Sequence, residues 1–573
     1  MKRLHECLEV SDIKDMLKKT GEIYGDKPAY KLRADKPNTY KIINHKQVRE
    51  MVNNLGTALI NLNLKDKRIA VIGENRYEWE VAYLAIVTGT GVVVPLDKGL
   101  PENELESLIE RSEIEAIFYS EKYEEVLKKI AAKPENKLKH LISMDLEKSN
   151  DGIFSQKELI EKGKKLLDEG NTEFLDCKID PNVMAIMLFT SGTTSQSKAV
   201  MLSHNNIISN LMDISSILDI SCDDRMLSFL PVHHVFECTV GFLLCLYKGM
   251  STSFCDGIRH IIENVREYKT TFLICVPALY ESIYATIMKN FEKQGRMEEI
   301  KAKLESTKNS TMEEKKEVFK EIHDFFGGKM KYLVSGAAAL NPAVEKAFRD
   351  FGINFFQGYG LTETSPGVSI MYGVKHKIGS VGLAVPSLEV KLYEENSEGI
   401  GELCVKGPNV MLGYYQNEQA TKEVIDEDGW FHTGDLCKID DEGYIFVAGR
   451  KKNVIVLKNG KNIFPEEMEK LVNKIEAIKE SMVFGNSIED DQKISKIYAQ
   501  IVYDKEIMKE AYKANTKEEI YNALKMQIKE LNKDMPKYKA IREIYITEEE
   551  IEKTTTGKIK RYAQMNKLSR LHK

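Results

Sequence analysis

Long apolar runs are missing from this chain. The longest, CTVGFLLCLY at 238–247, is about half the ~20 residues a helix needs to cross a bilayer, so no transmembrane segment is expected. The first twenty residues mix charge with apolar positions at helical spacing and hold no uninterrupted apolar stretch of the secretory-signal kind, which predicts a cytoplasmic protein. Paired cysteines are missing too. Nine are scattered without a CxxC pair or a Cys/His cluster, which argues against a disulfide frame or a zinc site and for small buried hydrophobes in a reducing compartment. Positive charge is not in excess either: a net charge of -6 leaves no broad basic face and predicts no nucleic-acid partner. Internal repeats and low-complexity linkers are absent.

What is present fits a soluble enzyme. A chain of 573 residues exceeds what one core organises and implies two or three domains. From Arg68 the text RIAVIGENRYEWEVAYLAIVTGTGVVVPLD reads as a β run, a polar turn, an amphipathic stretch and a second β run. MAIMLF (184–189), TFLICV (271–276), YLVSG (332–336) and INFFQ (353–357) repeat the style. Short β runs alternating with helical patterns predict α/β architecture, with largely parallel sheets covered by helices and ligands at strand C-terminal ends. Residues 282–329 interrupt the rhythm with a charge-laced helical stretch, read as a solvated helical hairpin packed on the main domain. After Gly449 the style changes again, to a strand pair around Asn459-Gly460, a helix opening at Pro465 and further β runs. The expected division is a large N-terminal α/β domain with further β structure, 1–448, and a small α+β C-terminal domain, 449–573.

The loops after the strands carry the chemistry. FTSGTTSQSKAVMLSH (189–204) runs from a strand end into hydroxyls, glycine and one lysine. As a Walker loop read from Gly192 it fails twice, with Ser197 in place of the second glycine and Ala199 where a hydroxyl would hold magnesium. What remains is a run of hydroxyls and backbone N–H groups with Lys198 supplying charge, between a strand and a helical pattern near Asn205. Such a loop can wrap a polyphosphate. In GYGLTETSP (358–366), Gly358 and Gly360 permit a tight turn presenting Tyr359 for stacking on a base, and Glu363 is a hard oxygen ligand suited to magnesium. In GWFHTGDL, Asp435 follows a glycine turn and can accept both hydroxyls of a ribose; Arg450 of GRKKN can bond ribose or phosphate. EKTTTGKIKR (552–561) places Lys558 in a glycine-containing loop.

In order and spacing, over nearly the whole chain, these five stretches resemble the adenylate-forming superfamily, which includes acyl-CoA synthetases, firefly-type luciferases and nonribosomal adenylation domains. The usual phosphate loop there is TSGTTGxPKG, so TSGTTSQSKA keeps the hydroxyls and the lysine and departs at Ser195, Ser197 and Ala199. Serine and alanine resist positive φ at roughly 1 kcal/mol or more per site. The departures therefore predict a stiffer loop or weaker ATP binding, with the hydroxyls of Ser195 and Ser197 as compensating donors.

The resemblance implies a ligase using ATP, Mg2+ and CoA, in which an acid becomes an acyl-adenylate and then a thioester. It assigns Thr190, Ser191, Gly192, Thr193, Thr194 and Lys198 to the β,γ-phosphates, Thr362 to the α-phosphate, and Glu363 with Thr193 to the metal. Gly358, Tyr359 and Gly360, with Ser335, Gly336, Ala337 and Ala338 of SGAAA, would wall the adenine; Asp435 and Arg450 would hold the ribose. Lys558 would bridge the acid and the α-phosphate, and the small mobile domain would swing about Lys452. LPVHHVFE (230–237) resembles the LPLAHxxE form of the long-chain acyl-CoA synthetases, which puts His234 at the acyl entrance and favours a fatty acid. Acyl carrier protein in place of CoA, or an aryl acid in place of a fatty acid, are alternatives within the superfamily. A non-catalytic nucleotide-binding regulator is the alternative of another class, and intact Glu363 and Lys558 argue against it. Peripheral contact with the inner face of a membrane is a further expectation, resting weakly on the basic ending after Lys553.

Overall fold

The apolar runs become the central strands of two sheets. In the computed structural model, which describes residues 3–34, 39–190, 197–371, 376–457, 462–486, 496–553 and 559–571, strands Pro28–Arg33, Ser251–Phe254, Arg225–Ser228, Phe272–Cys275, Tyr332–Ser335 and Asn354–Gly360 lie side by side and parallel. Three antiparallel strands complete that sheet at its margins: Tyr40–Asn44, Gly367–Ile370 and Leu383–Ala384. A second sheet has a parallel block of Met184–Thr190, Gly91–Pro95, Lys67–Ile72, Ala116–Tyr119, His140–Ser143 and Ile153–Ser155. Strands such as Phe272–Cys275 and Tyr332–Ser335 are buried along their whole length, which is why they read as continuous apolar runs rather than alternating ones. The fold is α/β, as expected.

The chain forms two compact units. The first takes residues 1–190, 197–389 and 405–431; the second takes 390–404 and 432–573. In the second unit, Ile478–Asn486 pairs antiparallel with Lys496–Tyr503, which pairs parallel with Ile541–Thr547. Leu524 and Ile528 of helix Lys517–Leu531 enter the same apolar core as Ile497, Ile501 and Ile544. Ile455–Val456 pairs antiparallel with Asn462–Ile463 on either side of 458–461, so the Asn459-Gly460 turn itself lies outside the described residues. Among the described residues no helix is long and apolar enough to cross a membrane.

Three expectations need correction. The charged stretch 282–329 packs on the main domain as expected but is more than a hairpin: it contains the end of helix Pro277–Lys293 and the helices Met297–Ser306, Met312–Val318 and Lys320–Phe325. Ile300, Phe319, Ile322 and Phe326 from it are buried in a core with Tyr280, Phe348 and Phe355. The hydroxyl-rich loop does not run from strand to helix. Lys198–Ser203 is itself a strand, antiparallel to Met184–Thr190 with Thr190 opposite Lys198, and helix His204–Ile217 begins only after it, capped by Ser203. Finally, GYG is not a tight turn but the extended end of strand Asn354–Gly360, with Tyr359 opposite Ser369 of the returning strand.

Candidate active site

In the first unit the ends of several strands bring the motifs together. Gly360 pairs with Gly367, and a Cβ there would lie 1.9 Å from the Pro366 carbonyl oxygen, so no larger residue fits without moving backbone. The chain then makes the short helical turn Thr362–Thr364, which carries Glu363. The hydroxyl of Thr364 donates to the Pro366 carbonyl at 2.6 Å, fixing this turn from inside. Just before GYG, buried Gln357 donates to Oε2 of Glu345 at 2.7 Å; that carboxylate also accepts from Gly379 N at 3.0 Å and pairs with His376. The strand end that presents Tyr359 is thus anchored by a buried carboxylate that sequence reading passed over.

The segment Met411–Tyr415 ties Glu363 to Lys198, the lysine that follows the hydroxyl-rich loop. Met411 N donates to the Glu363 carbonyl at 2.9 Å, Leu412 N to Met201 O at 3.0 Å and Tyr415 N to Ala199 O at 2.8 Å. Tyr414 donates its hydroxyl to Glu363 Oε1 at 3.0 Å, and Lys198 Nζ stands 4.6 Å from the centroid of its ring. Lys198, Glu363 and Thr190 are therefore neighbours of one assembly. Ser191, Gly192, Thr193 and Thr194 lie outside the described residues. Ser197, one of the three departures, is held by Arg111, whose Nη2 donates to its carbonyl at 2.8 Å. The same guanidinium reaches the Ser197 hydroxyl through Nη1 at 3.5 Å, so the serine adds a second, longer contact to the one its carbonyl makes.

Ser335 ends a buried strand, and Gly336 lies against Phe236 of LPVHHVFE: a Cβ at Gly336 would come 3.0 Å from that ring. Ala337 holds φ 70°, a left-handed conformation that costs an L-residue about 1 kcal/mol or more. Such strain persists only where the surroundings over-determine it. The SGAAA wall and the His234 loop are thus adjacent. That loop is held by Asn75, which donates to Leu230 O at 2.6 Å and to Ser228 Oγ at 2.9 Å and accepts from Val232 N at 3.2 Å. Ser228 donates onward to Glu237 Oε1 at 2.5 Å. Glu237 opens the π-helical turn Glu237–Leu243 and is wholly buried, as is Glu80, which accepts from the Tyr30 hydroxyl at 2.6 Å.

Burial pushes the carboxyls of Glu237 and Glu80 up to about 8. A carboxyl raised from its ordinary 4.5 keeps its proton when folded and releases it when unfolded, so its contribution to stability is full below about pH 4.5 and is lost as pH rises toward 8. Glu237→Gln has no proton to lose. Its unfolding midpoint in denaturant is expected to gain on the wild type steadily from pH 5 to pH 8, and parallel curves across that window would show that Glu237 is already ionised in the native protein.

In the second unit, Asp435 lies opposite Arg450 in the register of strands Phe431–Ile439 and Ile445–Arg450. Arg450 Nε meets Asp435 Oδ1 at 2.7 Å, and Asp435 N donates to Thr433 Oγ1 at 3.1 Å. Gly434 has φ 71°, so the glycine of TGD turns the strand locally and presents the aspartate. Lys452 sits in the single turn Lys451–Asn453 that follows. Lys558 is outside the described residues.

Among the described residues no group of three or more His, Cys, Asp or Glu side chains could hold a metal ion. One carboxylate is what Mg2+ requires when phosphate oxygens and waters supply its other ligands. Glu363 fits that role, since Tyr414 occupies Oε1 and no hydrogen bond from the described residues reaches Oε2.

The profile of the AMP-binding enzyme family matches residues 17–415, and that of the AMP-binding enzyme C-terminal domain matches 452–570. The chain is 28% identical over 519 residues to fatty acyl-CoA synthetase A of Dictyostelium discoideum, covering 84% of this chain and 77% of that one. It is 30% identical over 487 residues to long-chain-fatty-acid–CoA ligase 5 of Mus musculus, covering 79% and 70%. The crystal structure of ATP-bound MatB from Rhodopseudomonas palustris superposes with a TM-score of 0.75 at 22% identity, covering 98% of this chain and all of that one. With more than two thirds of its length inside one family profile and 452–570 inside the second, this chain belongs to the AMP-binding enzyme family.

Proposed function

We propose that the protein is an ATP-dependent ligase that activates a long-chain fatty acid as its acyl-adenylate and passes the acyl group to CoA, releasing pyrophosphate and AMP. A carboxylate resists thiol attack because its leaving group would be oxide. A carboxylate oxygen therefore attacks the α-phosphorus of ATP, and the bond to the β-phosphate oxygen breaks as pyrophosphate leaves. The CoA sulfur then attacks the acyl carbon, AMP departs with its oxygen, and the thiol proton passes to solvent. The observation that carries this reading is the convergence of Lys198 and Glu363 on Tyr414 beside the GYG strand, in a chain whose relatives are named as a fatty acyl-CoA synthetase and as long-chain-fatty-acid–CoA ligases.

In this reading Lys198 and the hydroxyls from Thr190 to Thr194 bind the β,γ-phosphates, and Thr362 binds the α-phosphate. Glu363, with Thr193, would hold Mg2+, which supplies charge neutralisation to the triphosphate when bound. Tyr359 and the SGAAA wall receive the adenine, Asp435 and Arg450 the ribose. His234 stands at the acyl entrance on a loop fixed by Asn75. Lys558 bridges acid and α-phosphate, and the second unit turns about Lys452 between the half-reactions. The setting proposed is the cytoplasm, with the inner face of a membrane as a source of acid.

The test is a pyrophosphate-release screen of the purified chain with ATP and Mg2+, across saturated acids from four to eighteen carbons and several aryl acids, with CoA or acyl carrier protein as acceptor. Release and thioester formation with the long acids and CoA are expected. A preference for aryl acids or for the carrier protein reassigns the substrate, and absence of AMP with every acid overturns the reading.

A further inference from the structure

The stretch MLGYYQNEQAT carries no assigned chemistry, yet one of its side chains touches two charged groups of opposite sign. Tyr414 lies in strand Gly413–Tyr414, paired antiparallel with the strand that Lys198 opens: Gly413 faces Met201 and Tyr414 faces Val200. Its own N–H donates to Thr421 Oγ1 at 2.9 Å, and the tyrosine is 6% exposed. The side chain is therefore fixed from its backbone outward. Its ring faces the Lys198 ammonium at 4.6 Å and its hydroxyl donates to Glu363 Oε1 at 3.0 Å. Among the described residues Lys198 and Glu363 make no ion pair with each other, although both are held by this one residue.

That arrangement has a physical consequence. A lysine and a glutamate side by side without nucleotide would pair, and each would need to be pulled from the other before serving a phosphate or a cation. A phenol between them offers the ammonium a π face and the carboxylate a single donor. The lysine then keeps its three N–H donors for an anion, and the carboxylate keeps one oxygen for a cation. We propose that Tyr414 is a positioning residue that separates Lys198 from Glu363 and aims one at the phosphates and the other at the divalent cation of the nucleotide. The proposal rests on the assignment of Lys198 and Glu363 made above.

The experiment is calorimetric binding of a non-hydrolysable ATP analogue, bridged by nitrogen between the β- and γ-phosphorus, to the full chain without acid or CoA, over a series of Mg2+ concentrations. Tyr414→Phe keeps the ring and removes the donor. Its half-saturating Mg2+ is expected to rise about tenfold, as for loss of one hydrogen bond to a charged group, with analogue affinity at saturating Mg2+ and the melting temperature unchanged. Tyr414→Ala removes both contacts and is expected to weaken analogue binding at saturating Mg2+ as well, by about tenfold. Adding Tyr414→Phe to Glu363→Gln should produce no further shift in Mg2+ dependence, since the carboxylate that the phenol positions is already gone. A Tyr414→Phe protein with wild-type Mg2+ dependence, or one whose only change is a lower melting temperature, overturns the positioning role. If wild-type binding is independent of Mg2+ and insensitive to Lys198→Gln and Glu363→Gln, the parent assignment fails, and the role of Tyr414 falls with it.

Discussion

Replacing Lys558 with alanine is expected to slow ATP–pyrophosphate exchange by roughly 10²- to 10³-fold, the effect of removing one preorganised contact to developing charge, while thioester formation from supplied acyl-adenylate is largely spared. The asymmetry follows from the chemistry. In the first half-reaction negative charge gathers on the α-phosphate as a carboxylate approaches it, and a cation reaching both groups lowers that barrier. In the second, charge develops on the departing AMP oxygen, but in the proposed cycle the second unit has by then turned about Lys452 and carried the lysine away from the site. The flanking sequence is well anchored. Lys553 and Ile559 are bridged antiparallel, and Arg561 donates to Glu469 Oε2 at 2.7 Å and to Val483 O at 3.1 Å. The Lys560 ammonium, by contrast, makes an exposed pair with Glu552 at 2.9 Å, so Lys560→Ala is expected to leave both half-reactions near wild type and serves as the control for loss of charge in this segment. Equal loss of both half-reactions in Lys558→Ala would show that the lysine does not leave between them.

How much of this was legible depends on how far each contact reaches along the chain. The strands were readable because burial on both faces makes them uniformly apolar, and Lys198 and Glu363 stood out because each is a lone charge in a loop after a strand. Tyr414 did not stand out. Its partner Glu363 is 51 residues away, and nothing in GYY announces a hydrogen bond. Asn75 is hidden for the same reason: it holds a carbonyl 155 residues on, and in GENRYEW it reads as an ordinary polar turn. The errors were also local readings overridden by distant partners. GYG looked like a turn because glycine permits one, but the returning strand Gly367–Ile370 supplies a ladder that keeps it extended. The insertion looked solvated because its charges outnumber Ile300, Phe319, Ile322 and Phe326, which nevertheless find a shared core. The signal that could have flagged the Lys198 strand was the apolar run AVML directly after the lysine, too short to separate from a helix start by periodicity.

Asp435→Ala is expected to lower kcat/KM for ATP by about two to four orders of magnitude, because a carboxylate that accepts both ribose hydroxyls makes two charged hydrogen bonds of about 1.5–3 kcal/mol each. The geometry also predicts that the fold survives. Breaking a buried ion pair is costly when the remaining charge is trapped, but the Arg450 side chain is 32% exposed against 5% for Asp435, so the freed guanidinium can take up water. The local strand geometry has other supports: Thr433 Oγ1 donates to Leu403 O at 2.8 Å, and Gly434 N donates to Glu402 Oε1 at 3.1 Å. A shift of melting temperature should therefore be small beside the loss of activity. The ribose contact itself is read out by comparing ATP with 2′-deoxy-ATP. Wild type should prefer ATP by about tenfold, one charged hydrogen bond's worth, and Asp435→Ala should use the two nucleotides almost equally, since the group that senses the 2′-hydroxyl is gone. A variant that is slow but still discriminates between them would place the ribose elsewhere and leave Asp435 as a structural partner of Arg450.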